Sequence, residues 1–235
     1  RFIETQDIKS FKDLNLSFRA LHIGMIKLRA VVLINNCKTR KNVIEKLEEK
    51  YIVTNFEKNF YRISLSKLKT SNKFEGYAWF LPNSLSLLIC TFHTQEDFEE
   101  YFIKVFLERN NKFSLLWINQ RVMSMFLDYL KSEKNFSMNS FSSHYDPLSE
   151  NKSELRPSVK RALDYSGNDS LQTFYELRDL YGLSINRFEG FLPNIGYLDF
   201  NRKKSLFVLR KGNLEHFKKV LNWLYSQTSF YIDEI

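Results

Sequence analysis

An α+β fold of two similar halves, each a small, mostly antiparallel sheet covered by helices, is predicted by three observations. Short apolar runs of strand length alternate with amphipathic helix patterns along the chain. Glycine and proline are scarce, at 7 and 4 of 235 residues, which leaves little room for a loop-built or disordered chain. Two segments also echo one another. Phe74-Glu75-Gly76-Tyr77 is matched by Phe188-Glu189-Gly190-Phe191, and Phe80-Leu81-Pro82-Asn83 by Phe191-Leu192-Pro193-Asn194. The offset is 188 − 74 = 114 at the first match and 191 − 80 = 111 at the second, because Tyr77-Ala78-Trp79 has no counterpart. A strand and then an amphipathic helix follow each echo, so the same supersecondary unit is read twice, as in an internal duplication.

The elements follow in order. Ile8, Phe11, Leu14 and Phe18 have helical spacing, and Gly24 ends any helix there. Residues 27–35 are nearly continuously apolar, the mark of a strand covered on both faces. Thr39 caps a helix to about Lys50, with Val43, Ile44, Leu47 and Tyr51 on one face. Residues 51–56 and 60–65 form a hairpin turning through Glu57-Lys58-Asn59. Residues 67–73 are a polar loop, 76–80 a short strand and 85–92 a buried one.

Thr94-Gln95-Glu96-Asp97 has the form of a capping box, with Asp where Glu is usual. Phe98, Phe102, Val105 and Phe106 continue that helix, residues 113–118 give another strand, and Val122, Phe126, Tyr129 and Leu130 another helix. From 27 to 118 the order is close to a split βαβ, ferredoxin-like arrangement. The alternative is a different α+β sheet carrying the 74–92 strands as an added hairpin.

Serines at 132, 137, 140, 142, 143, 149 and 153, with Pro147 and Pro157, mark residues 132–157 as a linker. It divides a first domain, 1–131, from a smaller α+β unit, 158–235. That unit is read as a short helix near 159–163, broken by Gly167, and a Ser170-capped helix to Tyr181 with Gly182 as its C-cap. A hairpin of residues 195–200 and 205–210 follows. The last helix is capped by Asn213 and buries Phe217, Val220, Leu221 and Leu224.

The chain is 43% hydrophobic and 26% charged, so it can bury a core. Cys37 and Cys90 form neither a disulfide framework nor a metal pattern, which suits free thiols and a cytoplasmic location. No apolar run nears the roughly 20 residues a membrane helix needs, so no membrane partner is expected. Beginning at Arg1, not Met, the chain reads as processed, trimmed or one part of a longer polypeptide.

Its formal charge of +8 admits DNA, RNA or an acidic protein partner. There is no GxxxxGK[ST] or GxGxxG loop, no HExxH and no GxSxG. The four histidines are scattered, so no cofactor, metal or catalytic residue is assigned.

Candidate binding residues are basic. Arg202, Lys203 and Lys204 at a hairpin tip, with Arg210 and Lys211, could rest on a phosphate backbone without reading sequence. A solvated polar tip is the plainer account. Lys38, Thr39, Arg40 and Lys41 gather cations at a helix N-terminus, where they oppose the macrodipole unless an anion joins them. A Lys-rich solvated loop is the plainer account there. Glu75 and Glu189, the matched acids of the echo, would hold a divalent ion only if they converged, the basis of a less favoured metal-dependent nuclease. Ser143-His144-Tyr145-Asp146 has triad residue types, but sequence neighbours point in different directions.

Phe18-Arg19-Ala20-Leu21-His22-Ile23-Gly24-Met25, then the strand at 27–35, the helix at 39–50 and Tyr51-Ile52-Val53, resemble the ferredoxin-like effector domain of Lrp/AsnC-type archaeal transcription regulators. The resemblance covers 18–118 and lies in pattern. The 66–84 insertion is longer than that pattern has, and no helix-turn-helix precedes the domain. The resemblance implies dimerisation or small-ligand sensing, with DNA binding supplied from upstream of Arg1. The expectation is a non-catalytic regulatory or nucleic-acid-associated module, possible as a homodimer. The alternative is a protein-interaction subunit of a larger complex.

Overall fold

The computed structural model describes residues 8–20, 27–65, 74–107, 112–145 and 163–232. They form a mixed α+β fold. The chain divides into two compact units, one of residues 1–116 with 208–222 and the other of residues 117–207 with 223–235.

The first unit runs α1 (Phe11–Ala20), β1 (Leu28–Asn35), α2 (Arg40–Glu48), β2 (Ile52–Glu57), β3 (Phe60–Ser64), β4 (Glu75–Phe80), β5 (Leu87–Thr91), α3 (Gln95–Phe98) and β6 (Phe113–Leu115). Directly after α3 the helix widens into a π-helical stretch, Glu99–Leu107. The strand order is β2-β3-β4-β5-β1, and β6 also pairs with β1. Strands β6, β1, β5 and β4 are successive antiparallel neighbours. With α2 following β1 and α3 following β5, that is the split βαβ order the sequence predicts. The added hairpin is β2–β3, not the 74–92 strands. Burial explains the difference. Every residue of β5, and all of β4 except Glu75, is buried, as central strands require, whereas β2 is largely exposed.

Both faces of this sheet are covered. Phe11 of α1 packs edge-on to Trp79, and Phe18 lies against Phe92. The Leu214 N–H donates to Asn15 Oδ1 at 2.8 Å, and Lys218 sits over the Phe11 ring. Across the sheet, Arg40 of α2 lies over Phe80, while Tyr51 and Phe74 meet Phe102 and Tyr101. Coverage from both sides is why β1 and β5 are written as unbroken apolar runs.

The second unit contains α4 (Gln120–Lys134), β7 (Ser137–Tyr145), β8 (Leu163–Ser166), α5 (Ser170–Tyr181), β9 (Leu183–Leu192) and β10 (Gly196–Asn201). Its strand order is β10-β9-β7-β8, and each of these pairs is antiparallel. Phe126 of α4 meets Phe188, Phe200, Phe207 and Trp223, and Trp223 stacks on Tyr129 with centroids 4.0 Å apart. Strand β11 (Leu206–Gly212) and helix α6 (Leu214–Ile232) each cross from one unit's residues to the other's. Asn213 Oδ1 accepts from the Glu215 N–H, and Phe217, Val220, Leu221 and Leu224 are buried as their spacing predicts.

Several expectations are corrected. Residues 137–145, read as linker, are strand β7, with Met138, Phe141 and Ser143 buried. Register shifts between Met138 and Ser140 and between Ser142 and Ser143 break strict alternation, so the buried residues are spaced 138, 141, 143 and the period of two is hidden. Leu163, read as a helix end, opens β8. Asp169, not Ser170, is the N-cap of α5. Asp169 supplies no cap hydrogen bond because both its carboxylate oxygens accept from the Tyr165 hydroxyl, and the Ser170 hydroxyl donates to the Asn139 and Gly167 carbonyls. Strand β9 was not read as an element at all. The expected loop at 67–73, residues 146–157 of the expected linker, the 159–162 part of the short helix and all of the Leu21–Met25 lead-in lie outside the described residues.

Candidate functional site

The β10–β11 turn is built by local polar chemistry. Asn201 Oδ1 accepts from the Lys204 N–H at 3.1 Å, closing an Asx turn. Ser205 takes φ 46° and donates its N–H to the Arg202 carbonyl. Arg202 is fixed twice to Asn186 of β9. Its N–H donates to the Asn186 carbonyl at 2.8 Å and its guanidinium to Asn186 Oδ1 at 2.9 Å. Asn186 is itself buried. The turn is therefore braced, and it presents Lys203 and Lys204 as exposed side chains.

Neighbouring charge is compensated. Arg187 makes a bidentate contact with Asp199 at 2.9 and 2.6 Å, which holds the guanidinium above its ordinary pKa. Glu189 lies opposite Asp199 in the β9–β10 register. Positive charge in this part of the second unit is thus confined to the tip. Arg210 and Lys211 belong to the first unit, at the end of β11. Arg210 is half-buried, and Lys211 is exposed with φ 64°.

The other basic cluster is largely engaged. Thr39 Oγ1 accepts from the Asn42 N–H at 3.2 Å and so occupies part of the α2 N-terminus. Arg40 donates to Asn59 Oδ1 at 2.7 Å and lies 4.9 Å from the Phe80 centroid. Lys41 pairs with Glu45, and Lys38 is exposed. These contacts describe a capped helix start at which Arg40 and Lys41 already have partners.

Of the two acids of the echo, Glu75 is placed as a structural residue. Glu75 accepts from the Tyr77 hydroxyl at 2.9 Å and pairs with Arg62 at 3.5 Å. Its N–H donates to His93 Nε2 at 3.1 Å, which puts the imidazole proton on Nδ1, toward Asp97. Burial holds His93 below its ordinary pKa, against the opposing pull of Asp97 and Glu75. The glycines of the echo serve packing. A Cβ on Gly190 would lie 2.4 Å from both the Phe136 ring and the Ser137 carbonyl, and one on Gly76 would lie 3.1 Å from the Cys90 carbonyl. In both echoes the Leu-Pro-Asn turns its strand with Asn at positive φ, 53° at Asn83 and 70° at Asn194. Among the described residues no cluster of three or more His, Cys, Asp or Glu could hold a metal ion.

Sequence reading missed a groove of about 950 Å³ between α4 and α5 in the second unit. Tyr175 donates its hydroxyl to Asp128 Oδ1 at 2.8 Å, while Lys131 and Arg178 lie 4.6 and 4.5 Å from its ring centroid. Burial, then Asp128, pushes the Tyr175 phenol above its usual pKa. Arg178 pairs with Asp128 and Asp179 and also donates to Ser124. No motif could have revealed it, because Tyr175 and Asp128 are 47 positions apart, on helices that carry no shared pattern.

Fold and site together define an α+β protein with a ferredoxin-like strand order in one unit and a braced basic turn in the other. Residues 122–204 match a family model described as AF_0896_M, family middle domain, and the match falls wholly within the second unit. An uncharacterized protein of Archaeoglobus fulgidus is 23% identical to this chain over 124 residues, which are 52% of this chain and 34% of that protein. Both are similarities of sequence alone, and neither brings an activity with it. No helix among the described residues is long and apolar enough to cross a membrane.

Proposed function

We propose that the chain is a non-catalytic, cytoplasmic regulatory module that associates with nucleic acid through the β10–β11 turn. The observation that carries this reading is the turn itself, where Arg202 is clamped to Asn186 while Lys203 and Lys204 project. A preorganised cationic turn can sit on a phosphate backbone with little ordering cost, giving affinity without base reading. The overall charge of +8 favours encounter with a polyanion. The resemblance of residues 18–118 to Lrp/AsnC effector domains supports regulation over catalysis. The free thiols of Cys37 and Cys90 support the compartment.

A second reading, a protein-interaction subunit, has its own observation. Phe191 and Tyr197 are cross-strand neighbours on β9 and β10, 40% and 45% exposed, with ring centroids 5.3 Å apart. The acids Glu189 and Asp199 beside them disfavour a phosphate backbone there.

The test is binding to labelled double-stranded DNA, single-stranded DNA and RNA across a salt series. It uses the wild type and a variant carrying Arg202→Ala, Lys203→Ala and Lys204→Ala. Micromolar binding is expected, and the variant should reduce the slope of log K against log salt by about 2, as the loss of two lysine–phosphate contacts and of the brace that presents them implies. Absence of binding at low salt would overturn this reading and favour the protein partner.

A further inference from the structure

The first unit has its own concentration of positive charge, where α1 lies against the N-terminal part of α6. Both segments belong to that unit. Two contacts fix how they lie. The Leu214 N–H donates to Asn15 Oδ1 at 2.8 Å, and the Lys218 ammonium sits 4.7 Å from the Phe11 centroid. Residue 15 thus meets 214 and residue 11 meets 218, so the two helices run antiparallel. Burial of Leu14 and Phe18 turns one side of α1 to the core. It leaves Lys12, Leu16 and Arg19 exposed at i, i+4, i+7, which is a single stripe. Asn15, which reaches α6, adjoins that stripe, so the stripe borders the seam between the helices.

The antiparallel alignment brings Arg19 level with Lys211 and Lys12 level with Lys218. These are two rungs of like charge, about 10 Å apart along α1. Lys219 is exposed beside the second rung. None of these cations forms an ion pair among the described residues. The acids of the two segments are Asp13 and Glu215. Asp13 lies on the other flank of α1 and accepts the Lys9 N–H at 3.2 Å. Glu215, exposed between the rungs, offsets only one of the positive charges. Like charges gathered in this way repel one another, and a bound polyanion relieves that repulsion.

The surface also selects among anionic partners. Among the described residues of α1 and 208–222, Leu16 is the one exposed large apolar side chain. A protein interface is anchored by large apolar and aromatic groups, which this seam lacks. Single strands are held by bases stacked on open aromatic rings, and here the Phe11 ring is covered by Lys218. We propose that the α1–α6 seam is a contact surface for the phosphate backbone of a nucleic-acid duplex. Arg19 and Lys211 take one group of phosphates, and Lys12, Lys218 and Lys219 the next. The contact reads no sequence. The class of partner rests on the nucleic-acid reading above, but the residues are different ones in the other unit. A resemblance to Lrp/AsnC effector domains does not imply such a surface, since it places DNA contact upstream of Arg1.

The test is fluorescence anisotropy of the full chain with a short labelled DNA duplex, and with one of its strands, over a salt series. One variant carries Lys12→Ala, Arg19→Ala and Lys219→Ala. A second keeps the charge, with Lys12→Arg, Arg19→Lys and Lys219→Arg. The turn variant, Arg202→Ala with Lys203→Ala and Lys204→Ala, is measured beside them. The duplex should bind more tightly than the strand. The alanine variant should lower the slope of log K against log salt by about 2–3, and the charge-keeping variant should leave it in place. Thermal unfolding of both, followed by circular dichroism, separates lost binding from lost folding. A wild-type slope in the turn variant beside a lowered one in the alanine variant would sink the turn and leave this surface standing. The proposal is overturned if the alanine variant binds like the wild type, if the charge-keeping variant also loses binding, if the strand binds as tightly as the duplex, or if the wild type does not bind at low salt.

Discussion

His93 shows how one side chain can be spent on structure. Its Nε2 receives the Glu75 N–H, its ring stacks on Phe74, and its own carbonyl accepts from Arg29. Because burial lowers its folded pKa below the unfolded value, the unfolded chain takes up the proton first as pH falls. Wild-type stability should therefore be flat with respect to this group above about pH 6.5 and decline below it, until the folded state is also protonated. In His93→Gln that part of the acid-side decline should disappear, read as a shallower fall of urea midpoint between pH 7 and 5. An unchanged slope would mean that other groups set the acid limb. The same cluster explains what the sequence could not show about Glu75. The echo marks it out, but only the three-dimensional sheet brings Arg62, Tyr77 and His93 to it. The basic turn, by contrast, was legible, since three consecutive cations between two apolar runs need no tertiary information. Its brace was not, because Asn186 lies 16 positions away.

At the scale of elements, three of the four expected N-caps and the uninterrupted apolar runs were readable, and bulged strands were not. Thr39, Thr94 and Asn213 each mark a helix start, and each has its cap hydrogen bond. Strand β7 hid because its two register shifts scatter the buried residues among serines. Strand β9 hid because polar Ser184, Asn186 and Arg187 interrupt Ile185 and Phe188. The pairing of these two strands accounts for Gly190, which sits against Phe136 and the Ser137 carbonyl. Gly190→Ala should cost about 1–3 kcal/mol, the usual range for overpacking. Gly76→Ala, with its nearest contact at 3.1 Å, should cost less. Urea unfolding of both variants checks the order, and equal losses would show that β7 yields readily.

The whole molecule is two units whose residues are not consecutive. Composition and alternation predicted an α+β chain. The boundary eluded sequence reading because it follows contacts and not composition: it falls at Trp117, ahead of the serines, and β11 and α6 are divided. The first unit depends on residues 208–222. In that stretch Leu214 binds Asn15, Lys218 covers Phe11, and β11 is the neighbour of β1. A fragment ending at Leu116 should therefore lack a cooperative unfolding transition by circular dichroism. Residues 1–116 joined to 208–232 by a flexible linker should regain one. A cooperative melt from 1–116 alone would show that the late segment is dispensable.

During synthesis this arrangement has a cost in time. Most of the first unit is made before the second is begun, yet it is completed only late, since all of residues 117–207 must be made before its closing segment, 208–222, exists. At cellular elongation rates that interval is on the order of ten seconds. Throughout it, the face of α1 that will meet α6 and the side of β1 that will meet β11 stand open to water and to other nascent chains. Until residues 208–222 follow, those faces are the ones that a chaperone would have to cover.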